Sequence, residues 1–123
     1  MYDVTNASYG TGRAAAAGAL YKMAGKSGTA QVFTVAATER MRKPGELAEH
    51  LRDHALFVAF APVEDPKLAV AVVVENAPRG GSAFAGPIAR RILDAYLLTP
   101  AQLAEQEAKS KPAAVVPAPR NTE

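Results

Sequence analysis

The hydrophobic pattern divides the chain into strands and helices that share one sheet. Small and polar residues giving way to alternating Val32-Phe33-Thr34-Val35 predict a first strand over about 24–35. The runs 55–61 and 68–75 predict a second and a third. Pro62-Val63-Glu64-Asp65-Pro66 between them is a turn with proline at both ends, so the two strands form an antiparallel hairpin. Leu68-Ala69-Val70-Ala71-Val72-Val73-Val74 is apolar on both faces, as expected of a strand buried inside a sheet. A helix beginning between Ala83 and Pro87 and running to about Leu98 carries Phe84, Ile88, Ile92 and Tyr96 on one side and Arg90, Arg91 and Asp94 on the other. Its apolar side is expected to cover the sheet.

Elsewhere the pattern is weaker. Met1 to Tyr9 shows no clear period. Thr11 is placed to N-cap a short Ala-rich helix from about Gly12 to Ala17 that stops near Gly18. A polar stretch over 36–43 leads to Pro44, which starts a helix running to about Asp53 with Leu47 and Leu51 four apart. From Thr99 onward Ala, Gln, Glu, Lys and Pro dominate, which predicts a disordered tail with a transient helix over 101–108. The expected organisation is an α+β segment over 1–98 followed by a tail over 99–123. The apolar third strand asks for neighbours that this chain does not supply, so it reads as part of something larger.

At 123 residues and 49% hydrophobic composition the chain suits one domain. The net charge of +2 comes from scattered Lys and Arg, with no aromatic residues interleaved as a stacking platform would need, which argues against nucleic acid as a partner. There is no cysteine, which excludes a disulfide framework and a thiolate metal site. His50 and His54 lie four apart among Glu46, Glu49 and Asp53, but no H-E-x-x-H pattern is present and a solvated helix end accounts for them. No metal or cofactor is implied. No apolar run reaches the roughly 20 residues of a membrane span, and the start lacks a signal-peptide pattern. Taken alone these features describe a soluble cytoplasmic protein, an inference that fails if the chain is a piece of a longer one.

The chemistry concentrates in Gly25-Lys26-Ser27-Gly28-Thr29-Ala30-Gln31 at the head of the first strand. A cation, two hydroxyls and a bare backbone position suit the grip of a carboxylate, since alternate residues share a face and glycine leaves room for a substrate backbone. Gly25-Lys26-Ser27 also ends a phosphate-binding loop, but that motif needs glycine where Leu20 stands and a helix where a strand is predicted. Gly10-Thr11-Gly12-Arg13 is only a fragment of a dinucleotide fingerprint and reads as a turn before a helix.

Lys26-Ser27-Gly28-Thr29-Ala30-Gln31, then His54-Ala55-Leu56-Phe57-Val58-Ala59-Phe60-Ala61-Pro62, then Val70-Ala71-Val72-Val73-Val74-Glu75-Asn76, resemble in order and spacing the C-terminal third of a penicillin-binding transpeptidase domain. The resemblance covers about residues 1–98 and is greatest to the monofunctional class B enzymes of rod elongation in Gram-negative bacteria. It implies the penicillin-binding and serine β-lactamase-like fold, with this chain giving three antiparallel strands and the covering C-terminal helix. Two motifs of that family are absent: the residues three beyond Ser8, Ser27, Ser82 and Ser110 are Thr11, Ala30, Ala85 and Ala113, so no S-x-x-K exists, and no S-x-N exists either. The nucleophile and its base are therefore not in this chain.

By the resemblance, Lys26 would place positive charge beside the reacting groups, Ser27 and Thr29 would hydrogen-bond the terminal carboxylate of a stem peptide or a β-lactam, and Gly28 would let the substrate lie along the strand. The Thr29 N–H would form half of the oxyanion hole. It further implies a peptidoglycan D,D-transpeptidase acting on the periplasmic side of the inner membrane, with the missing N-terminal part of the same protein and proteins of the elongation machinery as partners. A D,D-carboxypeptidase or β-lactamase shares the strand motif, and a stand-alone peptide-binding module is the non-enzymatic rival. The 36–53 segment is open to a gating or partner-binding role or to none, and Arg79-Gly80-Gly81 to glycan contact or a simple connection.

Overall fold

A computed structural model describes residues 1–31 and 52–110. The elements are α1 (Tyr2–Asn6), α2 (Arg13–Ala16), β1 (Ala24–Ala30), β2 (His54–Ala61), β3 (Leu68–Val74), α3 (Gly81–Leu97) and α4 (Pro100–Ser110). The predicted 32–35 end of the first strand and the helix expected from Pro44 fall mainly outside the described residues, as does His50.

The three strands form one antiparallel sheet in the order β1-β2-β3. Lys26 stands opposite Val58, Ser27 opposite Phe57, Gly28 opposite Leu56 and Thr29 opposite Ala55. The β2–β3 hairpin pairs Ala61 with Leu68 and Phe57 with Val72. Helix α3 packs across all three strands, and α1 packs on β1. Between α3 and the sheet lies the core, whose largest fully buried side chains are Phe57, Met23 and Leu93.

Three expectations need correction. The third strand lies at an edge of the described sheet, and its burial alternates: Leu68, Val70, Val72 and Val74 face α3, while Ala69, Ala71 and Val73 are exposed. Its two-sided apolar sequence therefore serves one covered face and leaves one bare. The buried side of α3 is not the Phe84-Ile88-Ile92-Tyr96 stripe; Ile88, Ile92 and Tyr96 are 44%, 42% and 65% exposed, and only Phe84 packs on the core. Instead Gly81, Ala85, Ala89 and Leu93, four apart, meet the sheet, because small residues let the helix approach closely. Arg90 and Asp94 are buried with them, since they neutralise each other across one turn.

The third correction concerns the ends. Residues 2–6 form a short helix where no period was visible. The cap of α2 is Gly12 and not Thr11. Gly18 takes φ 69°, the left-handed conformation glycine tolerates, and ends that region as expected. Residues 100–110, expected as a tail with a transient helix, form α4, where the Thr99 amide donates to Gln102 Oε1 at 2.9 Å. Residues 111–123 lie outside the described residues.

Candidate functional site

β1 is the strand on which the candidate chemistry sits, and its lead-in is held at three successive residues by three separate elements. The Tyr21 hydroxyl donates to Asp94 Oδ1 of α3 at 2.6 Å. The Lys22 carbonyl accepts from the Val63 amide of the hairpin turn at 2.9 Å. The Met23 carbonyl accepts from Thr5 Oγ1 at 2.7 Å and Asn6 Nδ2 at 2.8 Å, both from α1, while its side chain is fully buried. A strand so anchored presents its edge in one position, which a site needs more than it needs strength.

The direction of the backbone groups follows from two contacts. The Gly25 amide donates to the Met1 carbonyl of α1 at 3.3 Å and so points away from β2. A Cβ added at Gly81 would overlap the Leu56 carbonyl oxygen and come within 2.6 Å of that of Gly28, so both oxygens lie between the strands beneath α3. Successive residues of a strand aim their N–H and C=O groups at opposite edges. Ser27 and Thr29 therefore share the outward direction of Gly25, and Lys26 and Gly28 bond inward to β2.

The Lys26 ammonium donates to the Ser27 carbonyl oxygen at 2.5 Å, which brings its charge to this outer edge. Lys26 and Thr29 are exposed, and Ser27 and Gly28 are half-buried. The two hydroxyl residues lie on the face with Ala55 and Phe57, covered by α3, and Thr29 Oγ1 is 3.5 Å from where a Gly80 Cβ would stand. Lys26 and Gly28 lie on the opposite face with Val58 and Leu56. The four residues thus meet at the edge of the strand, not on one face: outward amides in the middle, a hydroxyl on one side, an ammonium on the other. Such an edge can pair with an extended peptide and balance an anionic end. Among the described residues no strand pairs with it.

His54 ends up as a local brace. Its Nδ1 accepts the Asn76 amide at 3.0 Å, which leaves the proton on Nε2 and holds the left-handed Asn76, φ 50°, after β3. Among the described residues no cluster of metal-ligating side chains occurs. A shallow, largely apolar groove of about 320 Å³ is lined by Met1, Val58, Ala59, Phe60, Ala69, Val70 and Ala71.

The sequence pattern missed the Arg90–Asp94 centre altogether. Arg90 Nε donates to Asp94 Oδ1 at 2.8 Å, and its Nη1 donates to the Ala15 and Ala17 carbonyls, each at 3.0 Å. Asp94 also receives Tyr21 and, at 2.6 Å, Gln106 Nε2 of α4. Burial of Tyr21, and then its bond to Asp94, holds its phenol well above the usual range. The signal available was Arg90 and Asp94 at i,i+4, which on a surface helix means only an exposed pair.

The family model for the penicillin binding protein transpeptidase domain matches residues 1–94. The chain belongs to that family. Peptidoglycan D,D-transpeptidase MrdA of Haemophilus influenzae is 54% identical over 97 residues, 79% of this chain and 15% of that protein. The protein of the same name from Escherichia coli K12 is 46% identical over 98 residues, 80% of this chain and 15% of its own length. Among solved structures, penicillin-binding protein 2 of Pseudomonas aeruginosa in complex with WCK 5153 superposes with a TM-score of 0.62 at 41% identity, covering 80% of this chain and 18% of that one. Penicillin-binding protein 2 of Helicobacter pylori, in a complex with MreC, gives 0.59 at 31% identity, with 80% and 16% covered. The sheet and its helices are thus part of an α+β penicillin-binding fold, and this transpeptidase-domain chain spans about 15% of the length of the curated relatives it matches.

Proposed function

We propose that these residues form the carboxylate-binding strand of a peptidoglycan D,D-transpeptidase, a longer protein that cross-links stem peptides through a serine acyl-enzyme and is acylated by β-lactams. The observation that carries this reading is the outer edge of β1, where the outward Thr29 N–H, the Ser27 backbone and the Lys26 ammonium converge on a family member's strand. The substrate lies along this edge like an added strand, its carboxylate held by the Ser27 and Thr29 hydroxyls and balanced by Lys26. Gly28 gives it room, and the Thr29 N–H supplies one oxyanion donor. The serine and its lysine base come from the rest of the protein, so the chain alone is inactive.

The names of the relatives favour a transpeptidase over a carboxypeptidase or β-lactamase. Two further parts of the reading rest on the resemblance: residence on the periplasmic side of the inner membrane, and partnership with elongation proteins, which the Helicobacter pylori complex supports. Among the described residues no helix is long and apolar enough to cross a membrane. Gly80 lies beside Thr29 Oγ1, and on this reading Arg79-Gly80-Gly81 would contact glycan or simply connect β3 to α3. On this reading residues 1–98 belong to the transpeptidase domain and 99–123 lie beyond it.

The test is penicillin treatment of the longer protein followed by peptide mapping. One adduct on a serine of an S-x-x-K motif outside residues 1–123 is expected. An adduct on Ser27 would overturn the assigned roles.

A further inference from the structure

Helix α4 lies beyond the stretch that the family model matches, which stops at Asp94. It nevertheless reaches back to that residue. Gln106 is buried, and its amide donates to Asp94 Oδ2, while Tyr21 and Arg90 occupy Oδ1. Apart from Gln106 and a half-buried Leu103, residues 100–109 of α4 are exposed. An 11-residue helix with so little apolar contact is marginal by itself, so its one buried polar anchor fixes where it sits.

That anchor ends on the group that holds the lead-in to β1. Tyr21 is bound by Asp94 five residues before Lys26, and the next two residues are pinned by the hairpin turn and α1. Of these three ties, the one at Tyr21 is the one α4 can alter, by setting the orientation of the Asp94 carboxylate. Gln106 on one oxygen and Tyr21 with Arg90 on the other hold that carboxylate from both sides.

We infer that α4 is a positioning element for the carboxylate-binding edge: Gln106 orients Asp94, Asp94 holds Tyr21, and Tyr21 sets the register and tilt with which β1 offers Lys26 and the Thr29 amide. This rests on the function proposed above. Gln106 touches no substrate and acts only through Asp94 and Tyr21.

The experiment measures penicillin acylation of the longer protein carrying Gln106→Ala, Tyr21→Phe or both, well below the melting temperature, with active sites counted by titration. Each single variant is expected to slow acylation about tenfold without losing sites, since small displacements remote from the chemistry have effects of that size or larger. The double variant is expected to be no slower than either single one, because both cut the same chain of contacts. A residue that merely supported the fold would lose sites or melting temperature and leave the rate per site unchanged. If Gln106→Ala loses sites, Gln106→Leu, which keeps the volume and removes the donor, is read in its place. Single variants as fast as the parent, or losses that multiply in the double variant, overturn the inference and leave the proposed function standing. A parent that takes up no penicillin overturns both.

Discussion

Gly81→Ala tests the close approach of α3 to β1 and β2. Gly81 does not need glycine for its backbone conformation, and alanine would raise helix propensity by up to about 1 kcal/mol. The new Cβ, however, would overlap the Leu56 carbonyl oxygen and sit 2.6 Å from that of Gly28. Carbon and oxygen normally approach to about 3.3 Å, so the tighter overlap, with Leu56, requires α3 to lift by more than about 1 Å at its first turn. Neither obstacle is a side chain that can swing aside. Overpacking of this kind costs about 1–3 kcal/mol, and rigid backbone on both sides puts this case near the top, for a net loss of about 2 kcal/mol. In the longer protein, whose unfolding entropy is spread over several hundred residues, that lowers the melting temperature by about 1–3 °C. Gly18→Ala is the control: it meets no atom within 4 Å but has φ 69°, so its loss of about 1 kcal/mol comes from conformation alone. Calorimetry of both variants reads the difference. A Gly81→Ala protein that melts at or above the parent would refute the packing of α3 described above.

Gly28→Ala should separate fold from function, since its Cβ would stand 3.5 Å from Leu56 Cβ, an ordinary contact. Its melting temperature is expected to stay within about 2 °C of the parent, while penicillin acylation slows; equal rates would show that no substrate passes over Gly28. The raised phenol of Tyr21 predicts a particular alkaline behaviour. A group whose pKa is higher folded than unfolded gives stability that is complete below its unfolded value, about 10, and is lost as the pH climbs from there towards the folded one. Denaturant titrations above pH 10 should therefore show a slope that Tyr21→Phe reduces, and identical slopes would contradict the burial assigned to it. The isolated 123-residue chain, with the bare face of β2 and β3 and the Ile88-Ile92-Tyr96 stripe exposed, is expected to bind a hydrophobic dye and to lack a sharp melt. A cooperative unfolding transition of a monomer would favour the stand-alone binding module.

The parts of this structure that were legible in the sequence are those where one local signal dominates. Apolar runs on either side of a proline-bounded turn marked β2 and β3 as an antiparallel hairpin, and Lys26-Ser27-Gly28-Thr29 stood at the head of a strand. Helix α3 was legible as a helix but not by face, because apolar residues lie all round it. The choice between Ile88-Ile92-Tyr96 and Ala85-Ala89-Leu93 was made by how closely small residues let it approach carbonyl oxygens, a distance no period encodes. The Asp94 centre joins residues 21, 90, 94 and 106, whose proximity is a product of the fold. For the same reason the sequence named the site residues but not their arrangement: that Ser27 and Thr29 turn their amides outward depends on which side of β1 is paired.

The outward Thr29 N–H is the claim on which the proposed function leans most, and Thr29→Pro removes it while sparing the bonds to β2. Proline is tolerated where a strand's N–H faces outward, and it keeps the preceding Gly28 extended. Thr29→Val, which loses the hydroxyl and keeps the N–H, is the reference. The measurement is the acylation rate of the longer protein by penicillin in these two variants. The proline variant is expected to be slower than the valine variant by about 10² to 10³, the loss of one oxyanion donor; equal rates would contradict the account.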